Sequence, residues 1–202
     1  MKNLNDNARY VSTEHAAASI KSGDTIWLGN GASSYDAFLE ALMERQNELK
    51  DITILFSKGK ATCKILDELK YKSTFHVISF FKEALVQTYE NDKITFLQSA
   101  SGSLFDMICK EFGVNTVVAA VCPLDNEGNC NVGKAGAYIT PMINKHSGIT
   151  NRIAIIDGNL PCKAGRNDET TISLSSFNCV CTDDRADGKA IEDITFGKEL
   201  VG

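Results

Sequence analysis

Proline and histidine are scarce in this 202-residue sequence, with three of each, and no long apolar run occurs. A membrane-spanning helix needs roughly 18 or more consecutive apolar residues, so a spanning helix is excluded as an expectation. The segment from Met1 to Asn7 is polar and lacks the apolar stretch of a secretory leader. No C-x-x-C pair occurs among the seven cysteines, and no His or Cys falls at ligand spacing, so no metal site is predicted. Cys63, Cys109, Cys122, Cys130, Cys162, Cys179 and Cys181 are scattered and odd in number. They read as reduced thiols, several of them in the core, of a cytoplasmic protein. Nor is there an excess of positive charge. The net charge of -5 gives no general reason to bind nucleic acid, although a local basic patch could hold a nucleotide-like anion.

What is present is an ordinary globular composition, 43% hydrophobic and 23% charged, with fifteen glycines. It suits one sizeable α/β unit with its own core. Ser12 or Thr13 can cap a first helix with Ala16, Ala17 and Ile20 on its buried stripe, and Gly23 is expected to stop it in a left-handed cap. Thr25–Leu28 reads as a strand running into Gly29-Asn30-Gly31-Ala32-Ser33-Ser34. A helix then carries Phe38, Leu39 and Leu42 on one face. Further strands are predicted over 52–56, 75–80, 94–97, 117–121, 152–156, 171–174 and 177–181. Helical spacing returns around Ile65 to Leu69, over 83–89, and from Ser103 to Phe112 with Gly113 as its stop. A helix near 141–146 would hold Pro141 in its first turn, where a missing N–H costs nothing.

Helices alternating with strands predict a three-layer α/β fold, a mainly parallel sheet with helices on both faces. The unit is expected to span 1–181, with 182–202 as a polar linker or edge segment.

In such a sheet, ligands gather at the carboxyl ends of the strands. The loops there are Gly29 to Ser34, Ser57 to Lys60, Gln98 to Ser103 and Pro123 to Gly133, all small and polar. Such loops admit a ligand close to the backbone, whose N–H groups can hold an anion or an oxyanion. Gly29-Asn30-Gly31 before a helix also matches the start of a dinucleotide fingerprint, but position 34 is Ser34 rather than glycine. A tight turn, a nicotinamide site and an oxyanion or acyl-CoA loop all remain open at this point. Lys58 and Lys60 read either as phosphate contacts or as solvated loop lysines. His15, His76 and His146 are not placed beside a strained serine, so no nucleophile–base pair emerges.

Several segments together resemble the acetyl-CoA hydrolase/transferase family, which includes the 4-hydroxybutyrate, butyryl and acetate CoA-transferases. The first is Tyr10 to Leu42, with Ile20-Lys21-Ser22-Gly23-Asp24, a strand, a glycine turn and a helix ending in Glu40-Ala41-Leu42. The second and more specific is Val121-Cys122-Pro123-Leu124-Asp125-Asn126-Glu127-Gly128-Asn129-Cys130-Asn131-Val132-Gly133, similar to that family's Ser-Pro turn and glycine return. Asn159-Leu160-Pro161 is the third. Cys122 stands where serine is usual, Ser34-Tyr35 replaces a proline, and Asn126 to Asn129 lacks the usual histidine and aromatic.

The resemblance implies the N-terminal half of a two-half enzyme that transfers coenzyme A from an acyl-CoA thioester to a small carboxylate, or hydrolyses the thioester. A glutamate of the C-terminal half would be the nucleophile. No catalytic residue is therefore assigned in this chain, and the chain alone is expected to be inactive. Gly29, Asn30, Gly31, Ala32 and Ser33 would help with the oxyanion, while Ser99, Ser101, Gly102, Asn131 and Gly133 would line the acyl pocket. Coenzyme A enters as part of a substrate, with no permanently bound cofactor. Partners implied are the acyl-CoA, the carboxylate and the C-terminal domain. The face built to meet that domain also allows self-association. The contrasting reading is a non-catalytic sensor of similar fold that binds a phosphorylated small molecule. Neither reading calls for nucleic acid or membrane.

Overall fold

The computed structural model describes residues 9–29, 35–56, 74–79, 94–96, 109–133, 136–160 and 170–182. Ten strands and three α-helices are bounded within these residues. In chain order they are β1 (Arg9–Tyr10), α1 (Thr13–Ala18), β2 (Thr25–Leu28), α2 (Asp36–Glu44), β3 (Ile52–Phe56), β4 (Phe75–Ser79) and β5 (Ile94–Phe96). Then come β6 (Thr116–Val121), β7 (Asn129–Asn131), α3 (Gly136–Lys145), β8 (Asn151–Ile156), β9 (Thr171–Ser173) and β10 (Cys179–Thr182). Eight of the strands form one sheet in the order β1-β10-β8-β6-β2-β3-β4-β5, and β7 and β9 form a separate pair. Every pairing in the large sheet is parallel; β7 and β9 are antiparallel.

Two-residue periodicity sorts the strand side chains into two cores. Ile26, Leu28, Ile52, Ile54, Val118, Ala120, Ile153 and Ile155 share one face with Ala16, Ala17 and Ile20, and with Phe38, Leu39 and Leu42 of α2. Trp27, Leu55, Val117, Ala119, Val121, Ala154 and Ile156 share the other with Ile139, Met142 and Ile143 of α3. A sheet covered on both faces has no solvent side, which is why Thr116–Val121 is buried at every position. The expected three-layer α/β fold is the fold observed.

The first helix differs from its expected extent. Ser12 does cap it, its Oγ accepting from the His15 N–H at 3.2 Å. It ends at Ala18, however, and Gly23 (φ 84°) sits in the turn that enters β2. The reason lies in what takes the last carbonyls. Ser19 Oγ donates to Ala16 O at 2.6 Å, and Arg45 Nη1 donates to Ala17 O at 2.7 Å and Ile20 O at 3.0 Å. A guanidinium from α2's end thus adds to the Ser19 and Ile20 backbone N–H groups that already cap Ala16 O and Ala17 O. Arg45→Met keeps the aliphatic stem and removes this fork. Ala17 and Ile20 are buried, so their carbonyls lose a charged donor away from water and we expect a loss of about 1–3 kcal/mol, measured as a lower urea midpoint at unchanged slope.

Other expectations are corrected as well. Pro141 lies inside α3 rather than in its first turn. An interior proline forfeits a backbone hydrogen bond and crowds the preceding turn. Here it falls on the exposed side, while Ile139, Met142 and Ile143 are buried and hold the helix to the sheet. The strand read at 171–174 belongs to the small antiparallel pair, and its last residue, Leu174, opens a 3-10 turn. Thr182, assigned to the polar tail, is a buried member of β10. Finally, Cys122 is disulfide-bonded, whereas all seven thiols were expected to be reduced; Cys109, Cys130, Cys179 and Cys181 are free. The pairing of Cys122 is a matter of three-dimensional proximity that scattered spacing does not encode. The helices read around 65–69, 83–89 and 103–108, and the tail at 183–202, lie outside the described residues.

Candidate crevice at the switch point of the sheet

The chain order of the strands reverses direction at one place. From β2 it steps outward through β3, β4 and β5, then returns to the opposite side of β2 with β6, β8 and β10. Successive connections therefore diverge above β2 and β6, and the crevice that opens at their carboxyl ends is where such sheets bind ligands.

Strand lengths determine what fills that crevice. Leu28 pairs with Val118, and Gly29 N–H donates to Val118 O at 3.0 Å, but β6 runs on to Val121. The Ala120 N–H then projects past the end of β2. Tyr35, the residue just before α2, supplies the acceptor: its Oη takes the Ala120 N–H at 3.0 Å. Its ring is buried, and burial first, then the field of Asp157, pushes the phenol pKa well above the ordinary range; the Ala120 bond acts in the opposite sense. Tyr35 is accordingly a neutral hydroxyl at physiological pH, an acceptor for Ala120 and not a base.

Gly29 is glycine for lack of space. A Cβ there would stand 2.9 Å from Ile139 Cδ1, 3.0 Å from Tyr35 Oη and 3.4 Å from Val118 O. The backbone of α2's entry, the β6 edge and the α3 face all meet at this point.

On the other flank, β8 delivers Asp157 to the end of the sheet. Its N–H donates to Val121 O at 2.9 Å, and its buried carboxyl is held in an Asx turn, Oδ1 accepting from Asn159 N–H at 2.8 Å. A neutral phenol and a buried carboxylate therefore flank the end of β6.

Beyond Val121 the chain makes a built excursion. Cys122 N–H donates to Asn131 O at 2.8 Å, which ties β7 to the end of β6, and Cys122 Sγ lies 3.6 Å from Leu160 O. Asp125 organises the turn, Oδ1 accepting from Glu127 N–H at 2.9 Å and Asn129 N–H at 2.8 Å, with Gly128 at φ 78°. Asn131 Oδ1 accepts from Gly133 N–H at 2.7 Å, and Asn131 Nδ2 donates to Thr170 Oγ1 at 3.2 Å.

Of the site residues expected from sequence, Gly29, Asn131 and Gly133 are thus anchored around the carboxyl end of β6. Asn30, Gly31, Ala32, Ser33, Ser99, Ser101 and Gly102 lie outside the described residues, as do Lys58 and Lys60. Tyr35 and Asp157 were not singled out as site residues. Tyr35 had shown itself only as a departure from a resembling proline, and Asp157 carried the signal of an acid placed directly after an apolar strand. Among the described residues no three His, Cys, Asp or Glu cluster as metal ligands, and no helix is long and apolar enough to cross a membrane.

No protein-family model matches the chain, and no curated protein matches it in sequence. Solved structures do share the fold. RipA from Yersinia pestis superposes with a TM-score of 0.71 at 17% identity, over 87% of this chain and 42% of that one. A 4-hydroxybutyrate CoA-transferase from Porphyromonas gingivalis gives 0.54 at 16% identity, over 86% of this chain and 39% of that one. A cysteine-to-serine variant of the decarboxylase AibA/AibB gives 0.56 at 11% identity, over 88% of this chain and 84% of that one. The chain spans less than half the length of the first two.

Proposed function

We propose that the chain is the N-terminal half of an acyl-CoA:carboxylate CoA-transferase or acyl-CoA hydrolase, lining the acyl and oxyanion side of the active site. The observation that carries this reading is positional: the glycine turn leaves the sheet at Gly29, at the switch point where β2 and β6 part. Shared fold with a 4-hydroxybutyrate CoA-transferase supports it.

The geometry refines the roles. The Gly29 N–H is already bonded within the sheet, so in this reading the oxyanion donors are the backbone N–H groups of Asn30 to Ser33. The Asn131 side chain is likewise engaged, so Asn131 and Gly133 act as wall, together with Ser99, Ser101 and Gly102. Asp157 is fixed by its Asx turn and serves as a structural acid. The nucleophile is a glutamate of the C-terminal half. Its carboxylate attacks the thioester carbonyl, coenzyme A leaves as the thiolate, and the acyl group is held as an anhydride. The coenzyme A thiolate then attacks the glutamyl carbonyl of that anhydride, releasing the first acyl group as its free carboxylate and leaving a glutamyl thioester. An acceptor carboxylate displaces the thiolate to form a second anhydride, whose acyl carbonyl the thiolate attacks to give the new acyl-CoA and free glutamate; water would instead hydrolyse the glutamyl thioester to glutamate and coenzyme A.

The chain alone should show no acyl-CoA:carboxylate exchange, and co-expression with the C-terminal α/β half should restore it. Exchange of labelled acetate into acetyl-CoA measures both. Turnover by this polypeptide alone would contradict the assignment of the nucleophile to the other half. Decarboxylation is the second reading, favoured by the 84% of the AibA/AibB chain that this chain spans. Release of carbon dioxide from an acyl-CoA substrate without carboxylate exchange would favour it.

A further inference from the structure

The disulfide of Cys122 stands at the crevice, on the first residue after β6. Of the seven cysteines, Cys109, Cys130, Cys179 and Cys181 are free, so the partner is Cys63 or Cys162. A disulfide framework pairs its cysteines throughout. Where most thiols stay reduced, a disulfide is usually transient or redox-sensing.

The surroundings of the buried Cys122 sulfur suit both of its redox states. As half of a disulfide, Sγ carries no proton and needs no acceptor. Once reduced it carries an S–H, and a carbonyl already stands within reach, Leu160 O at 3.6 Å. The free thiols of this chain are held in the same way: Cys130 Sγ donates to Ile172 O at 3.4 Å, and Cys181 Sγ to Ala154 O at 3.6 Å. A buried donor without an acceptor would oppose reduction, and Cys122 meets no such cost.

Nor does the backbone around Cys122 depend on the bond. Cys122 N–H donates to Asn131 O at 2.8 Å, Val132 N–H to Thr170 O at 2.9 Å, and Asp125 N–H to Asn129 O at 2.9 Å. These contacts remain when the sulfurs part. What the bond adds is a tether on the corner between β6 and β7, the corner that carries Asn131 and Gly133.

We propose that the Cys122 disulfide is a redox switch on the crevice wall, which stiffens the β6–β7 corner when oxidised and loosens it when a dithiol reduces it. In that step the two thiols of the dithiol join as a disulfide, and the two electrons and two protons they give up convert the Cys122 bond into two thiols. The inference does not rest on the transferase reading, since it concerns the corner and not the reaction.

Thiol labelling and amide hydrogen exchange of the full chain, across buffers of reduced and oxidised glutathione, test it. Cys122, labelled after unfolding, should pass from protected to reactive across that series, whereas a structural disulfide resists the glutathione pool. Reduction should speed exchange at the Cys122 and Val132 amides at least about tenfold, while the β6 and β8 amides keep their protection. It should also lower the unfolding temperature by roughly 5–15 °C, with one cooperative transition retained. Cys122→Ser should show the fast pattern in every buffer. Peptide mapping of the oxidised chain names the partner, and either Cys63 or Cys162 supports the switch. A reactive Cys122 in oxidised glutathione, a bond that glutathione leaves intact, or unchanged exchange on reduction would each overturn it. Unfolding of the whole chain on reduction would do so too, by making the bond a structural staple.

Discussion

Between pH 9 and 12 the folded chain should lose roughly 4 kcal/mol of stability through one buried thiol. Cys130 is 2% exposed between the β7–β9 pair and the sheet, its Sγ 3.4 Å from the Ile172 carbonyl it donates to. Burial pushes its pKa up to about 12, with the charge of Asp125 adding to the rise and its own backbone contact opposing it. An unfolded thiol ionises near roughly 8.5. Between those values the unfolded chain has released a proton that the native chain retains. Stability is therefore complete below about pH 8.5 and falls by about 1.4 kcal/mol per pH unit above it. Tyr35, its pKa raised in the same direction by burial, steepens the decline once unfolded tyrosine begins to ionise near about pH 10. Urea unfolding of the parent and of Cys130→Ala at pH 8, 9, 10 and 11 separates the two groups. The variant should show a flatter dependence by about 1.4 kcal/mol per unit from pH 9 to 11. Parallel slopes would mean that the thiol ionises freely in the native chain.

The same thiol illustrates what a linear sequence conveys. That Val117 to Val121 forms a doubly buried strand is legible from five consecutive apolar residues, and Ile52 to Phe56 is legible as a strand from Ile52, Ile54, Leu55 and Phe56 around Thr53. Elements made by their neighbours are not. Arg9–Tyr10 has no periodicity of its own and is a strand only because β10 offers a parallel edge. Asn129–Asn131 is poor in strand-forming residues and pairs because Asp125 closes the turn before it. Gly29 stands where the chain leaves β2, and the need for Tyr35 arises from a difference in strand length. β6 outlasts β2, and no local pattern encodes the resulting orphan N–H.

Gly29→Val should be among the most damaging single substitutions in the chain, at about 2–5 kcal/mol, because its cost has two sources. The first Cβ alone meets Ile139 Cδ1 at 2.9 Å and Tyr35 Oη at 3.0 Å, and valine adds two methyls to that space. Neither neighbour yields readily, since both are buried at 2% exposure. Overpacking of this kind typically costs about 1–3 kcal/mol. The second source follows if Tyr35 is the group that moves. Its Oη then leaves the Ala120 N–H, which β2 is too short to satisfy, and an orphaned buried donor costs about a further 1–3 kcal/mol. Tyr35→Phe isolates that second part, retaining the ring and deleting the acceptor. Combining Tyr35→Phe with Gly29→Ala should cost less than the sum of the two, because deleting Oη removes one of the atoms the new Cβ strikes. Hydrogen exchange at Ala120 supplies the local readout: slow in the parent, fast in Gly29→Val and in Tyr35→Phe. A Gly29→Val variant within about 0.5 kcal/mol of the parent, with Ala120 still protected, would show that the crevice is open where the packing makes it full. The expected result instead makes Gly29 and Tyr35 one unit. The glycine leaves room for the phenol, the phenol completes the edge of β6, and the chain is thereby free to leave the sheet at the point where a ligand would enter.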